Sequence, residues 1–254
     1  TASTNVALGV QALSTATTAG GNTAIGSFAL RDNTAVDNVA VGKNALLTNT
    51  TGAYNTGIGF ESLKVNTTGQ INTALGWGAL VDNTTGSNNT GLGASALADN
   101  TTGTNNTAVG KNAMLVATTG TYNTAVGSNA LDAATTASNN VALGAGSLGV
   151  TVTGADNVAV GTDALAANTA SYNTAVGRYA LTTNTTGANN TAVGQKAAYS
   201  STTGVRNTVV GDNALYTNTT GDDNTAVGTG ALYSATTASN NTAVGRLALY
   251  ANTT

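Results

Sequence analysis

A short segment in which small, polar and aliphatic positions alternate recurs along the entire chain. It reads Asn-[Thr/Val]-Ala-[Val/Ile/Leu]-Gly with few exceptions, and it begins at fifteen asparagines: Asn5, Asn22, Asn38, Asn55, Asn72, Asn89, Asn106, Asn123, Asn140, Asn157, Asn173, Asn190, Asn207, Asn224 and Asn241. Twelve of the fourteen intervals between these starts are 17 residues long, and the two that begin at Asn22 and Asn157 are 16. A fixed period of this kind indicates a repeat architecture rather than low-complexity disorder. Residues 1–254 are therefore predicted to form one repeat array.

The positions of the repeat divide into two classes. Numbered from its Asn, the unit reads N-[TV]-A-[VIL]-G-x-x-A-L-x-x-N-T-T-G-x-x, and positions 1 and 5 are Asn and Gly in all fifteen copies. All 19 charged residues and all 11 aromatic residues fall at positions 6, 7, 10, 11, 16 and 17. We therefore expect these six positions at exposed corners and the remaining eleven in the walls and core.

The repeat predicts an all-β fold. Asn, Thr and Gly are poor helix formers, whereas positions 2–4 suit a short strand that the invariant Gly ends. A second short strand is expected over Ala-Leu at positions 8 and 9, followed by an Asn-Thr-Thr-Gly turn. The chain is thus predicted to be a β-solenoid, or parallel β-roll, of fifteen 17-residue coils with one short rung per repeat.

Stacking coils in register places like residues about 4.8 Å apart, which predicts ladders of identical side chains. The aliphatic residues of position 4 and the Leu residues of position 9 are expected to form the core; the predicted core residues include Val109, Val126, Leu97 and Leu131. The structural Asn ladder is expected to include Asn89, Asn106, Asn123 and Asn140. The turn glycines are predicted to include Gly93, Gly110, Gly127 and Gly144. An external aromatic strip is predicted from Tyr199, Tyr216, Tyr233 and Tyr250, and it either stiffens the stack or binds a sugar or partner.

Composition narrows the chemistry. The chain has no His or Cys and only 7% charged residues, with a net charge of −3. Catalytic triads, Cys nucleophiles and the usual zinc and copper sites are therefore excluded, and the eight Lys and Arg form no basic patch for nucleic acid. No apolar stretch is long enough to cross a membrane. We expect no enzyme activity, metal or cofactor. The alternatives are a glycosidase site, for which Glu61 is the only Glu and Asp82 and Asp99 are the nearest carboxylate pair, and a calcium site at Asp222–Asp223.

Segments such as Asn5-Val6-Ala7-Leu8-Gly9 and Asn38-Val39-Ala40-Val41-Gly42, each followed by x-x-Ala, resemble the S-V-A-I-G-x-x-A signature of trimeric autotransporter adhesin heads. The fuller N-T-A-V-G-x-x-A-L-x-x-N-T-T-G unit also resembles repeats of phage tail fibres. The adhesin resemblance implies a left-handed parallel β-roll, trimerisation, and attachment to a host or matrix at a bacterial surface. The coils of those heads are shorter, because they lack the Asn-Thr-Thr-Gly turn.

Together these features predict a non-enzymatic structural fibre or filament segment that is extracellular, on a cell surface or on a virion. No capping repeat is present at either end of the array, so we expect self-association as a head-to-tail filament or a homotrimer, as part of a longer fibre, with host-surface or glycan contact as a further expectation. The alternative function is ice binding through Thr ladders at positions 2, 13 and 14, as in Thr107, Thr118 and Thr119. Sequons such as those at Asn49, Asn66 and Asn100 are either glycan acceptors or turn and ladder residues.

Overall fold

The computed structural model describes residues 4–16 and 18–253. The chain forms two compact units, Thr1–Asn123 (unit 1) and Thr124–Thr254 (unit 2). Each unit is a parallel β-solenoid in which every coil contributes one three-residue strand. The predicted all-β solenoid with a period of about 17 residues is therefore confirmed.

The strands occupy positions 2–4 of the repeats. Unit 1 holds β1 (Val6–Leu8), β2 (Thr23–Ile25), β3 (Val39–Val41), β4 (Thr56–Ile58), β5 (Thr73–Leu75), β6 (Thr90–Leu92) and β7 (Thr107–Val109). Unit 2 holds β8 (Thr124–Val126), β9 (Val141–Leu143), β10 (Val158–Val160), β11 (Thr174–Val176), β12 (Thr191–Val193), β13 (Thr208–Val210), β14 (Thr225–Val227) and β15 (Thr242–Val244).

Within each unit, consecutive strands pair in parallel with equivalent residues opposite one another. Thr73 of β5 is opposite Thr90 of β6, and Leu75 is opposite Leu92. The backbone N–H of Thr73 donates to the carbonyl of Asn89 in the next coil over 2.8 Å. Because the repeat length sets this register, each position of the repeat stacks on itself from coil to coil.

The Ala-Leu segment is not a strand, which corrects the second-strand prediction. It forms overlapping turns instead: in the coil that begins at Asn55, Ser62 N–H donates to Gly59 O, Lys64 N–H to Glu61 O and Asn66 N–H to Leu63 O, over 3.2–3.4 Å. Glu61 and Leu63 have φ of 57° and 51°, and a positive φ at the third residue is typical of a type II turn. Tight turns rather than extended backbone therefore close the coil opposite its strand.

The invariant Gly of position 5 is required by both conformation and space. Gly76 has φ of 141°, a region that L-residues rarely adopt. A Cβ atom built on it would lie 2.5 Å from the carbonyl oxygen of Gly93 in the next coil. The same conformation recurs at the predicted turn glycines, whose φ angles lie between 133° and 138°; these are Gly93, Gly110, Gly127 and Gly144.

The core is thin and is built from positions 3, 8 and 9. Ala74, Ala79 and Leu80 of one coil are all fully buried. A Cβ atom placed on Gly91, at position 3, would lie 3.4 Å from the Leu80 side chain of the preceding coil. The predicted core residues Leu97 and Leu131 are also fully buried. Small residues at positions 3 and 8 thus permit contact across a narrow coil.

The prediction that position 4 lines the core is wrong. Val126 is 39% exposed, and Val109 is half-buried on the outer side of its strand. Side chains alternate between the two faces of a strand, so the buried Ala of position 3 forces positions 2 and 4 outward. The interior is filled by Leu from the opposite turn, so position 3 is Ala or Gly in every coil except that of the buried Val209, and the coil before it has Ala198 in place of that Leu.

Candidate interaction surfaces

The asparagine of position 1 holds the coils together in both units. In unit 1, the Asn106 N–H donates to Oδ1 of Asn89 and the Asn123 N–H to Oδ1 of Asn106, both over 3.0 Å. In unit 2, the Asn157 N–H donates to Oδ1 of Asn140 over 3.0 Å. These side chains are buried, and a buried acceptor facing each N–H stabilises the stack. The four asparagines of the predicted ladder are therefore interior structural residues.

A second buried asparagine ladder lies at position 12, the row for which the sequence left ladder residues and glycan acceptors as alternatives. Nδ2 of Asn66 donates to Oδ1 of Asn49 over 2.6 Å, and Nδ2 of Asn83 donates to Oδ1 of Asn66 over 2.7 Å. Nδ2 of Asn66 also donates to the Gly69 carbonyl, which additionally accepts from Nδ2 of Asn55 at position 1. The sequence carries one sign of this ladder: where position 12 is not Asn, it holds only the small residues Ala, Ser or Thr.

The three sequon asparagines singled out above belong to this second ladder. Asn49, Asn66 and Asn100 are fully buried, and each Nδ2 donates to the ladder neighbour and to the Gly carbonyl three residues on. An amide held in this way inside the folded coil is inaccessible to a glycosyl transferase. In the folded chain these residues are ladder residues rather than glycan acceptors.

The outward face of the strands carries two parallel rows, Thr or Val at position 2 and Val, Ile or Leu at position 4. We call it the Thr–Val face of each unit. Leu75 and Leu92 are 43% and 41% exposed on it, and none of the fifteen repeats places a charged residue in either row. Contiguous exposed apolar surface of this kind is typical of protein interaction sites.

The threonine rows differ in how their hydroxyls are used. At position 13, the hydroxyls of Thr67 and Thr84 donate to the carbonyls of Thr84 and Thr101 in the next coil, both over about 3.0 Å. At position 2, the hydroxyls of Thr73 and Thr90 have no such side-chain hydrogen bond within the described chain. The position 2 hydroxyls on the Thr–Val face are thus available to water or to a partner.

The predicted tyrosine strip lies on a corner of unit 2. Its rings stack in parallel, with centroids 5.0–5.2 Å apart and interplanar angles of 4–15°; the members are Tyr199, Tyr216, Tyr233 and Tyr250. The edge of Tyr179 extends the row, and the Arg178 guanidinium lies 4.4 Å from the Tyr179 ring centroid. Because stacked rings cover one another's faces, the geometry favours packing between coils over sugar binding on the ring faces.

The carboxylates considered as candidate ligands or acids make contacts within the protein. Asp223 pairs with Arg206 over 2.6 Å, and this guanidinium holds the pKa of Asp223 below its usual range. Asp222 Oδ1 accepts the Val205 N–H. Glu61 accepts from Lys64 over 2.9 Å, which lowers the pKa of Glu61. Among residues 4–16 and 18–253, no three acidic groups come together as a metal site.

Asp82 and Asp99 occupy position 11 of adjacent coils. Partial burial and the neighbouring Asp82 charge raise the pKa of Asp99. Neither residue forms an ion pair with a Lys or Arg in the described part of the chain. Two carboxylates of like charge thus lie on one corner in adjacent coils, and Asp99 is half-buried there.

The part of the chain that the structure describes has no helix long and apolar enough to cross a membrane. Comparisons with protein-family models, with curated proteins and with solved structures found no match to this chain.

Proposed function

We propose that the chain is a non-enzymatic structural segment of an extracellular, cell-surface or virion fibre, in which copies associate side by side through their Thr–Val faces. The observation that carries this proposal is the outward position of the aliphatic row. Leu75 and Leu92 keep about two fifths of their surface exposed although the chain contains a core for Leu. Burying such a row against a second copy removes apolar area from water, which favours association.

The arrangement of charge supports association through this face. Charged residues flank the strands, as Lys43 does at position 6 and Asp37 does immediately before Asn38, and none lies within the two rows. An apolar centre with a polar rim is the usual anatomy of a protein interface. The position 2 hydroxyls supply hydrogen-bonding groups that a partner can satisfy.

The repeated polar and Gly rows outside this face serve the coil itself. Asn ladders, Gly rows and position 13 hydroxyls all make contacts between successive coils. This use of residues suits a load-bearing element, because every coil adds the same set of contacts to the next.

Sedimentation velocity on the purified chain tests the proposal. We expect the wild-type chain to form oligomers and the variant Ile25→Lys/Leu92→Lys to be monomeric, because a buried unpaired charge opposes association. The matched control is Thr51→Lys/Thr102→Lys, which places the same charges on the exposed turns of position 14. Circular dichroism establishes that each variant folds. A monomeric wild-type chain, or a face variant that still associates like the control, contradicts the proposal.

Ice binding uses the same face and is the alternative outcome. In the described chain, the hydroxyls of Thr73 and Thr90 in the position 2 row make no side-chain hydrogen bond, whereas those of Thr67 and Thr84 in the position 13 row are engaged in hydrogen bonds. The adjacent position 4 row mixes Val, Ile and Leu, and such uneven size suits a protein partner better than a crystal lattice. Thermal hysteresis in the wild-type solution, abolished by Ile25→Lys/Leu92→Lys, would favour ice binding.

A further inference from the structure

The Thr–Val face alone does not determine the axial register, that is, which coil of one copy lies beside which coil of its neighbour. Every coil of unit 1 presents nearly the same pair of rows, and equivalent residues stack in register from coil to coil. Along β4–β7, sliding one copy by a single coil therefore exchanges Thr for Thr and aliphatic for aliphatic. A defined assembly needs a feature that does not repeat.

Unit 1 contains such a feature in two consecutive coils. Tyr54 and Phe60 bracket strand β4, at the residue before Asn55 and the residue after Gly59; Ile71 and Trp77 bracket strand β5 in the same way. These four side chains, which we call the flanking patch, are between 40% and 60% exposed.

No other coil of unit 1 places large side chains on both sides of its strand, because Val10 beside β1 and Tyr122 at the end of the unit each stand alone. Strand β6 is flanked by Asn88 and Ala94, and strand β3 by Asp37 and Lys43. Two consecutive coils with large side chains on both sides of the strand are thus unique along the unit, and they include the single Trp of the chain.

Ring stacking within the described chain does not account for these large side chains. The ring–ring contacts of the described residues all lie between Tyr179 and Tyr250 in unit 2. Among the described residues, Tyr54, Phe60 and Trp77 stack on no other ring, and they are between 40% and 60% exposed. Trp and Tyr are the residues most enriched at the energetic centres of interfaces, so their exposure beside an apolar face points to a partner.

We infer that the flanking patch sets the axial register of self-association, holding the Phe60 and Trp77 coils of neighbouring copies level with one another. This inference rests on the proposed association through the Thr–Val face and adds the residues that decide its alignment. The partner is a second copy of this chain. When the patches are level, the large side chains of one copy meet those of the next; after a slip, they meet Asn88, Ala94 or Lys43 and lose apolar contact.

Register-specific cross-linking tests the inference, because the chain has no native Cys. Single cysteines are introduced at position 2 of successive coils, as Thr56→Cys, Thr73→Cys, Thr90→Cys and Thr107→Cys. Differently tagged chains are mixed in pairs and treated with a thiol cross-linker too short to span more than one coil step of about 4.8 Å. We expect products at one coil offset in the otherwise wild-type background and at several offsets in the Phe60→Ala/Trp77→Ala background.

The control background is Leu47→Ala/Val81→Ala, which removes two half-buried apolar side chains from the position 10 corner; it should retain the wild-type offset. Sedimentation velocity establishes that each background still associates. The inference is overturned if wild-type chains cross-link at several offsets, or if Phe60→Ala/Trp77→Ala retains one offset. A chain that forms no oligomer at all overturns the proposed function itself.

Discussion

The backbone N–H of Asn89 donates a hydrogen bond of 3.0 Å to the side-chain Oδ1 of Asn72, which lies 17 residues earlier in the preceding coil. Nδ2 of the same Asn72 donates over 2.8 Å to the carbonyl of Gly86, near the end of its own coil. One buried amide therefore closes a coil and joins it to the next. A carboxylate lacks the donor and a longer amide would not fit the same span, which explains the invariance of Asn at position 1.

Replacing Asn72 with Ala should destabilise the local coils strongly. The Asn89 N–H would lose its buried acceptor, and an unsatisfied buried group costs about 1–3 kcal/mol; the lost bond to Gly86 adds to this. We expect a lower melting temperature and faster hydrogen exchange at the Asn89 amide. Thr85→Ala, at an exposed turn position of the same coil, is the control and should change neither. Unaltered hydrogen exchange at the Asn89 amide in the Asn72 variant would argue against a stabilising role for the Asn89–Asn72 hydrogen bond.

Completing the second asparagine ladder should stabilise unit 2. Oδ1 of Asn184 and Oγ of Ser201 are buried without hydrogen-bond partners, because Ser201 stands where the ladder has Asn in the preceding coil. Ser201→Asn supplies an Nδ2 donor to Asn184, and we expect a gain of about 1 kcal/mol. Thermal denaturation measures the effect, with Ser200→Asn on the neighbouring half-exposed site as the control. A loss of stability in Ser201→Asn would show that the site cannot hold the amide.

Two glycines of one coil should respond very differently to Ala. Gly76→Ala places a Cβ 2.5 Å from the Gly93 carbonyl oxygen at φ of 141°, whereas a Cβ on Gly78 meets only Ser95 Oγ at 4.0 Å, at φ of 61°. The left-handed conformation alone costs about 1–2 kcal/mol, so Gly78→Ala should lower the free energy of unfolding by about that amount. Gly76→Ala must also displace the next coil, so it should lower the free energy of unfolding several-fold more or prevent folding. Equal losses in urea denaturation would refute the close-approach explanation.

The stacked Asp82–Asp99 corner predicts a pH-dependent stability. Because burial and the Asp82 charge raise the pKa of Asp99, its ionised form opposes folding, and this penalty exists at pH values above the raised pKa. Asp99→Asn should therefore raise the melting temperature at neutral pH and leave it unchanged well below the ordinary pKa of 3.8.

Asp82→Asn is the companion variant for this prediction. It removes the like charge but leaves the burial of Asp99 in place, and burial is the larger cause of the raised pKa. Its gain at neutral pH should be smaller than that of Asp99→Asn. A gain from Asp99→Asn that persists in acid would mean that charge is not its cause.

Particular residues show which structural features the sequence predicts and which it does not. The recurrence of Gly76 and Gly93 at one position correctly indicated a backbone constraint, and the confinement of charge to six positions correctly indicated corners. The Ala-Leu segment was misjudged, because Leu63 with φ of 51° adopts a conformation that no propensity favours for Leu. The sequence left the role of Asn66 open between a ladder residue and a glycan acceptor, because Asn in an Asn-Thr-Thr-Gly context is equally typical of an exposed turn.

The sequence by itself determined the period, the all-β class and the stacking of like residues, since an uninterrupted 17-residue repeat admits only a coil that stacks on itself. Only the tertiary structure decided which side of the strand is inside. Alternation separates Ala74 from Thr73 and Leu75, but either face satisfies the pattern. The buried Leu80 from the turn opposite occupies the narrow interior, so only the small Ala74 fits beside it and the aliphatic row faces outward. Packing thus places the aliphatic row of position 4, which the sequence assigns to the core, on the surface through which we propose that the chain associates.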